Sequence, residues 1–194
     1  MFRALRLEQL WTPPAGSKAG AITVEAKPSE VDQEGYPSSM ISTVQIPARG
    51  DLPPVKLTVY AKDKPSEELL LDHPRGGWGD LLVGSKGSMY SDCPWNTRFA
   101  LIPRAKFESF KSGPPETLPV SIGHHKEWVE ACKGRGKTFS GFEMGGPLTE
   151  LMQLINLASL VEGPVEYDPI SGKLLNSTKA SELLHRTYRK GWTI

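Results

Sequence analysis

Four histidines and two cysteines are the residues of this 194-residue chain best suited to move protons, hold a metal or attack as nucleophiles. His124 and His125 are adjacent, at the expected start of a helix. Neighbouring side chains diverge around a helix, so this pair does not chelate one ion together. No HExxH, no CxxC and no histidine at i+4 accompanies them, and His73 and His185 lie far away in sequence. No metal ligand is therefore assigned. Two readings stay open for the pair, a helix-start imidazole facing a pocket and a partly buried structural one, the second being the commoner fate of a histidine. Cys93 and Cys132 cannot build a disulfide framework and read as free thiols of a reducing compartment. No GxSxG elbow supports a hydrolase serine.

Two glycine clusters resemble nucleotide loops. In Gly77-Trp78-Gly79, Leu82 stands where the dinucleotide fingerprint needs its third glycine. The cluster also precedes a strand, when it should follow one and open a helix. Gly136-Lys137-Thr138 resembles the end of a P-loop, but Ala131 replaces the first glycine and a helix precedes it. Turn geometry is the better reading of both. Asn176-Ser177-Thr178 fits a glycosylation sequon, which carries little weight without a secretory signal. The five tryptophans are spread along the chain and read as core or interface anchors.

The elements that must position these residues follow from proline placement and periodicity. Fourteen of the 17 prolines precede residue 120. Strands and loops are expected there and helices mostly after it, because proline breaks helix interiors. A run with β-branched residues at 21–26 and period-two runs at 40–46 and 55–60 predict strands, the last two an antiparallel pair. Residues 80–84 and 88–91 read as a hairpin, 98–102 as a short strand and 111–121 as an extended linker. Helices are expected at 124–133, at 147–161 with Pro147 in first position, and at 178–188 with Arg186, Arg189 and Lys190 near its end. Residues 165–167 and 173–175 read as a further hairpin. This order predicts an α+β fold, a mainly antiparallel open β-sheet with helices packed on one face.

Hydrophobic residues are 38% and charged residues 23%, the balance of an ordinary globule. The net charge of +1 offers no basic footprint for nucleic acid or for anionic membrane. No apolar run approaches the ~20 residues of a membrane span.

From residue 20 onward the chain resembles the C-terminal half of the glucose–fructose oxidoreductase / inositol dehydrogenase / MocA-like family (Gfo/Idh/MocA), in its long bacterial, planctomycete-type branch. The residues carrying the likeness are Ile46-Pro47-Ala48-Arg49-Gly50-Asp51-Leu52-Pro53-Pro54-Val55-Lys56-Leu57-Thr58 and Leu82-Val83-Gly84-Ser85-Lys86-Gly87. Gly123-His124-His125-Lys126-Glu127-Trp128-Val129-Glu130-Ala131-Cys132-Lys133-Gly134, Gly146-Pro147-Leu148-Thr149-Glu150 and the ending Tyr188-Arg189-Lys190-Gly191-Trp192 continue it. One departure is Val59-Tyr60-Ala61-Lys62, where relatives often carry Trp-Tyr-Asp-Gly.

Full-length relatives bind NAD or NADP on an N-terminal Rossmann domain that also holds a catalytic lysine. The resemblance therefore implies that residues 1–19 are the remnant of an inter-domain helix and linker, and that 20–194 is the substrate and oligomerisation domain. It implies no catalytic, cofactor-binding or metal residue in this chain, and substrate contacts from His124, His125 and Arg49. The implied function is the substrate-binding part of an NAD(P)-dependent oxidoreductase of sugars or polyols, inactive alone, cytoplasmic, and a homo-oligomer through its sheet face. A standalone interaction module and a part of an NAD-dependent glycosidase are the alternatives. Neither nucleic acid nor membrane is an expected partner.

Overall fold

The computed structural model describes residues 1–30, 35–71, 73–74, 76–77, 79–110, 117–185 and 187–192. Its strands are β1 (Ile22–Pro28), β2 (Met40–Ile46), β3 (Val55–Ala61), β4 (Asp80–Gly84), β5 (Gly87–Ser91), β6 (Ala100–Ile102), β7 (Val165–Asp168) and β8 (Lys173–Leu174). Its helices are α1 (His124–Cys132), α2 (Phe142–Ala158) and α3 (Thr178–Leu184). The fold is α+β, with antiparallel sheets. The chain divides into two compact units, Pro65–Gly123 and the combination of Phe2–Lys64 with His124–Ile194.

The larger unit is built on a five-stranded antiparallel sheet in the order β3-β2-β1-β7-β8. Alternation decides which side chains enter the core. In β2, Met40, Ser42, Val44 and Ile46 are buried, while Ile41 and Gln45 face out. Register places Val44 opposite Val24 of β1 and Leu57 of β3, so one apolar row crosses three strands. Leu151, Leu154, Ile155 and Ala158 of α2 close that face, together with Ala180 of α3. Phe2, Leu7 and Leu10, from the turn and 3-10 segment that open the chain, complete the same core.

Within the helices the local chemistry is legible. α1 ends on Gly134, whose φ of 71° is the left-handed region. Gly134 N–H donates to Ala131 O and Arg135 N–H to Glu130 O, the Schellman pair that satisfies two terminal carbonyls. Ser177 caps α3, its Oγ accepting from Ala180 N–H at 3.1 Å.

The boundaries of α2 correct the sequence reading. The helix begins at Phe142 and stops at Ala158, and Pro147 sits inside it rather than first. The turn is already closed before the proline, since Gly141 O accepts from Met144 and Gly145 N–H at 3.0 and 2.9 Å. Pro147 then forgoes only the bond to Glu143 O. At the other end Ser159 Oγ donates to Asn156 O at 2.7 Å and stops the helix before Gly163. α3 is likewise shorter than expected, since His185 is extended; of its expected basic residues, Arg186 lies outside the described residues.

The smaller unit carries a three-stranded antiparallel sheet, β4-β5-β6, with Leu70, Tyr90 and Ile102 as its buried cluster. Gly84 pairs with Gly87 across the hairpin turn. Most of the expected linker, residues 111–116, lies outside the described residues. Among the described residues no helix is long and apolar enough to cross a membrane.

Candidate functional site

The β2–β3 connection, Pro47 to Pro54, is a tight loop closed by reciprocal Arg49–Leu52 backbone bonds of 3.1 and 3.0 Å. Gly50 turns it with a φ of 54°. Arg49 points inward and is only 4% exposed. Its Nε donates to Leu5 O at 2.8 Å, and its Nη1 donates to Pro53 O at 2.9 Å and Pro47 O at 3.2 Å. Burial pulls its pKa down, and the nearby Glu8 carboxylate opposes that shift. Glu8 Oε2 is itself buried with no hydrogen-bond partner among the described residues, so Arg49 supplies the compensating charge.

Around this loop lies a half-open cleft of about 430 Å³, in the range of small-molecule sites. One wall is the Arg49–Leu52 turn, a second is Arg6 and Gln9, and the third is Pro14 to Ser17. The third wall is a turn in which Ser17 N–H and Oγ both donate to Pro14 O, at 3.0 and 2.7 Å, with Gly16 at a φ of 81°. Arg6 holds φ 50°, ψ 44°, a left-handed conformation that costs a non-glycine residue about 1–2 kcal/mol.

His124 and His125 are brought side by side, ring centroids 4.1 Å apart, both exposed at the start of α1. They are not among the residues lining the Arg49 cleft. Among the described residues no group of three or more His, Cys, Asp or Glu side chains is arranged to hold a metal. Cys93 and Cys132 are free. The Cys93 thiol is pulled down by hydrogen bonds from the Thr97 hydroxyl and from the Thr97 and Trp95 amides.

Gly79 of the first nucleotide-like cluster and Asn176 of the sequon have structural explanations. Gly79, at φ 148°, runs so close to Ser91 that a Cβ there would overlap its carbonyl oxygen. Trp78 of that cluster lies outside the described residues. Both ends of the Asn176 amide are spent: Nδ2 donates to Pro164 O and Oδ1 accepts from Glu166 N–H, each at 2.9 Å.

Sequence reasoning does not single out one partly buried polar cluster. Glu150 Oε1 accepts from Trp11 Nε1 at 2.9 Å and from the Tyr167 hydroxyl, tying the N-terminal segment, α2 and β7 together. Burial, and then the Glu150 carboxylate, push the Tyr167 phenol well above its usual range. Glu150 does fall in the Gly146–Glu150 motif, and Tyr167 alternates inward with Val165. Those two signals together were the available pointer. No protein-family model matches the chain, and no curated protein matches it either.

Proposed function

We propose that the chain is a substrate-binding and oligomerisation domain of an NAD(P)-dependent oxidoreductase of sugars or polyols, working in the cytoplasm and belonging to the Gfo/Idh/MocA-like family. The observation that carries the reading is the two-sided character of the five-stranded sheet. α2 covers one face, and the other presents Thr23, Glu25, Lys27, Ile41, Thr43, Gln45, Lys56, Thr58, Tyr60 and Glu166 in cross-strand rows. Two carboxylates and two ammonium groups balance on that face, so no net charge repels a second copy. Such a mixed surface suits a symmetric interface. The motif residues of the resemblance fall on defined positions: the Arg49 loop, the β4–β5 turn, α1 and the second turn of α2. His124, His125 and Arg49 remain the proposed substrate contacts, Arg49 through the cleft it lines.

Sedimentation of the purified chain tests the oligomeric half. A dimer or larger species dispersed by Ile41→Lys supports it, and a strict monomer at high micromolar concentration removes it. The oxidoreductase half is tested by the genomic sequence upstream of Met1, where an in-frame Gly-rich βαβ segment is expected.

A second reading, a non-enzymatic interaction module, is favoured by one observation. Trp128 of α1 is 64% exposed and Phe142 of α2 is 95% exposed, and large aromatics at such exposure are typical of protein contact surfaces. An upstream sequence with no nucleotide-binding segment favours this module.

A further inference from the structure

The Arg49 cleft offers more unspent polar chemistry than a structural loop requires. Arg49 uses Nε and Nη1 on three carbonyls, and its Nη2 makes no hydrogen bond to a described residue. That amino group is not among the buried unpartnered atoms, so it keeps some accessible surface, and Arg49 is one of the residues that line the cleft. Arg6, Gln9 and Asp51 line the same space, and none of their side chains hydrogen-bonds a described residue. Arg6 and Arg49 therefore both line a common volume of about 430 Å³, Arg6 with no hydrogen bond from its side chain and Arg49 with Nη2 unbonded among the described residues.

We infer that this cleft binds a small polyhydroxylated monocarboxylate, of the sugar-acid type. Arginine forks match a carboxylate geometrically, and charge-assisted hydrogen bonds are the stronger kind. Arg6 and Arg49 line the cleft with Asp51, and the nearby Glu8 carboxylate offsets Arg49, so the site is close to neutral and a monoanion burdens it with less negative charge than a dianion. Asp51 accepts from ligand hydroxyls, and the Gln9 amide both donates and accepts, so a hydroxylated chain is matched where an aliphatic acid leaves those groups unpaired. Arg49 is preorganised by its three carbonyl bonds, and Arg6 is held in its left-handed conformation next to it. Little side-chain freedom is then lost at Arg49 on binding. The inference refines the substrate class of the proposed function and rests on that reading for the sugar-like skeleton.

The test is a titration of the full chain with gluconate, glucitol and inorganic phosphate, followed by residue-resolved NMR. Gluconate should give saturable shifts at Gln9, Gly16, Gly50 and Asp51, and glucitol, which lacks the carboxylate, should give none. Phosphate should bind more weakly than gluconate. Arg6→Asn keeps a residue that tolerates the left-handed backbone and should weaken gluconate binding about tenfold. Should that variant not fold, wild-type binding must still weaken with added salt, as screening of a charge contact demands. Equal binding of gluconate and glucitol, phosphate binding as tight as gluconate, or shifts confined to other residues would each overturn the assignment. Loss of gluconate binding leaves the sheet-mediated oligomer standing, because sedimentation reads that separately.

Discussion

Replacing Arg49 with Met isolates what this buried cation does for the fold. The side chain ties Leu5 of the N-terminal segment to both ends of the β2–β3 loop, at 2.8, 2.9 and 3.2 Å. A hydrogen bond from a charged donor is worth about 1.5–3 kcal/mol net, and three sharing one guanidinium add incompletely. The variant also leaves Glu8 Oε2, buried without a hydrogen bond, beside no compensating charge. Breaking one partner of a buried charge pair alone costs about 3–5 kcal/mol, and this pair is not in direct contact, so it sits below that range. The expected loss for Arg49→Met is about 3–4 kcal/mol, a large share of the ~5–15 kcal/mol of a typical domain. Arg49→Lys keeps the charge but cannot fan onto three carbonyls, so about half that loss is expected. Adding Glu8→Gln to Arg49→Met should restore about 1 kcal/mol by removing the stranded carboxylate. Urea unfolding followed by tryptophan fluorescence measures all three. A loss below about 1 kcal/mol for Arg49→Met would refute the stapling role, since it would mean that water replaces the guanidinium at little cost.

Three more outcomes follow from the same geometry. Ser42 is fully buried with an unpartnered Oγ, so Ser42→Ala should be neutral or stabilising by up to about 1 kcal/mol in urea unfolding, against the usual trend of core substitutions. Tyr167 has a raised phenol pKa, first from burial and then from Glu150; the folded chain keeps its proton where the unfolded chain releases it, so its contribution is complete below the ordinary phenol pKa of ~10 and lost as pH rises toward the folded value. Urea midpoints compared at neutral and strongly alkaline pH should therefore fall less for Tyr167→Phe than for the wild type. Gly79→Ala should loosen the smaller unit, because the new Cβ would meet the Ser91 carbonyl and the φ of 148° disfavours any side chain; faster amide exchange along β4 and β5 is the readout.

How far the sequence anticipated the structure depended on how local each determinant is. The strands at 40–46 and 55–60 are legible because alternation repeats every two residues and one face packs on the core, fully buried in β2 and half-buried in β3. The hairpins were visible for the same reason, with glycine at their turns. Reading Pro147 as a first helical position puts the start of α2 five residues late, since the helix begins at Phe142. Its true start is set by Gly141, whose carbonyl accepts from both Met144 and Gly145 N–H, a bond pattern without a side-chain signature. Two features have no local determinant. β7 returns to pair with β1 across more than a hundred residues, and the separation of Pro65–Gly123 into its own unit arises because β4, β5 and β6 pair only with one another.

Arg49 shows why residue type alone underdetermined the site. An arginine between prolines and glycine fits a ligand contact and a loop staple equally well, because both uses need a guanidinium fork aimed at oxygen atoms. The fold separates the two edges of that fork: Nε and Nη1 reach carbonyls of the protein, and Nη2 bonds no described residue, in a side chain that belongs to the cleft lining. The two roles then reinforce each other. A cation that holds its own loop in place is already desolvated and oriented before any ligand arrives, so the cost of ordering it belongs to folding rather than to binding. The same substitution should accordingly damage stability and recognition together, whereas Arg6, exposed and outside the staple, should affect recognition alone. That asymmetry between Arg49 and Arg6 is what distinguishes a loop that carries a site from a loop that is merely well packed.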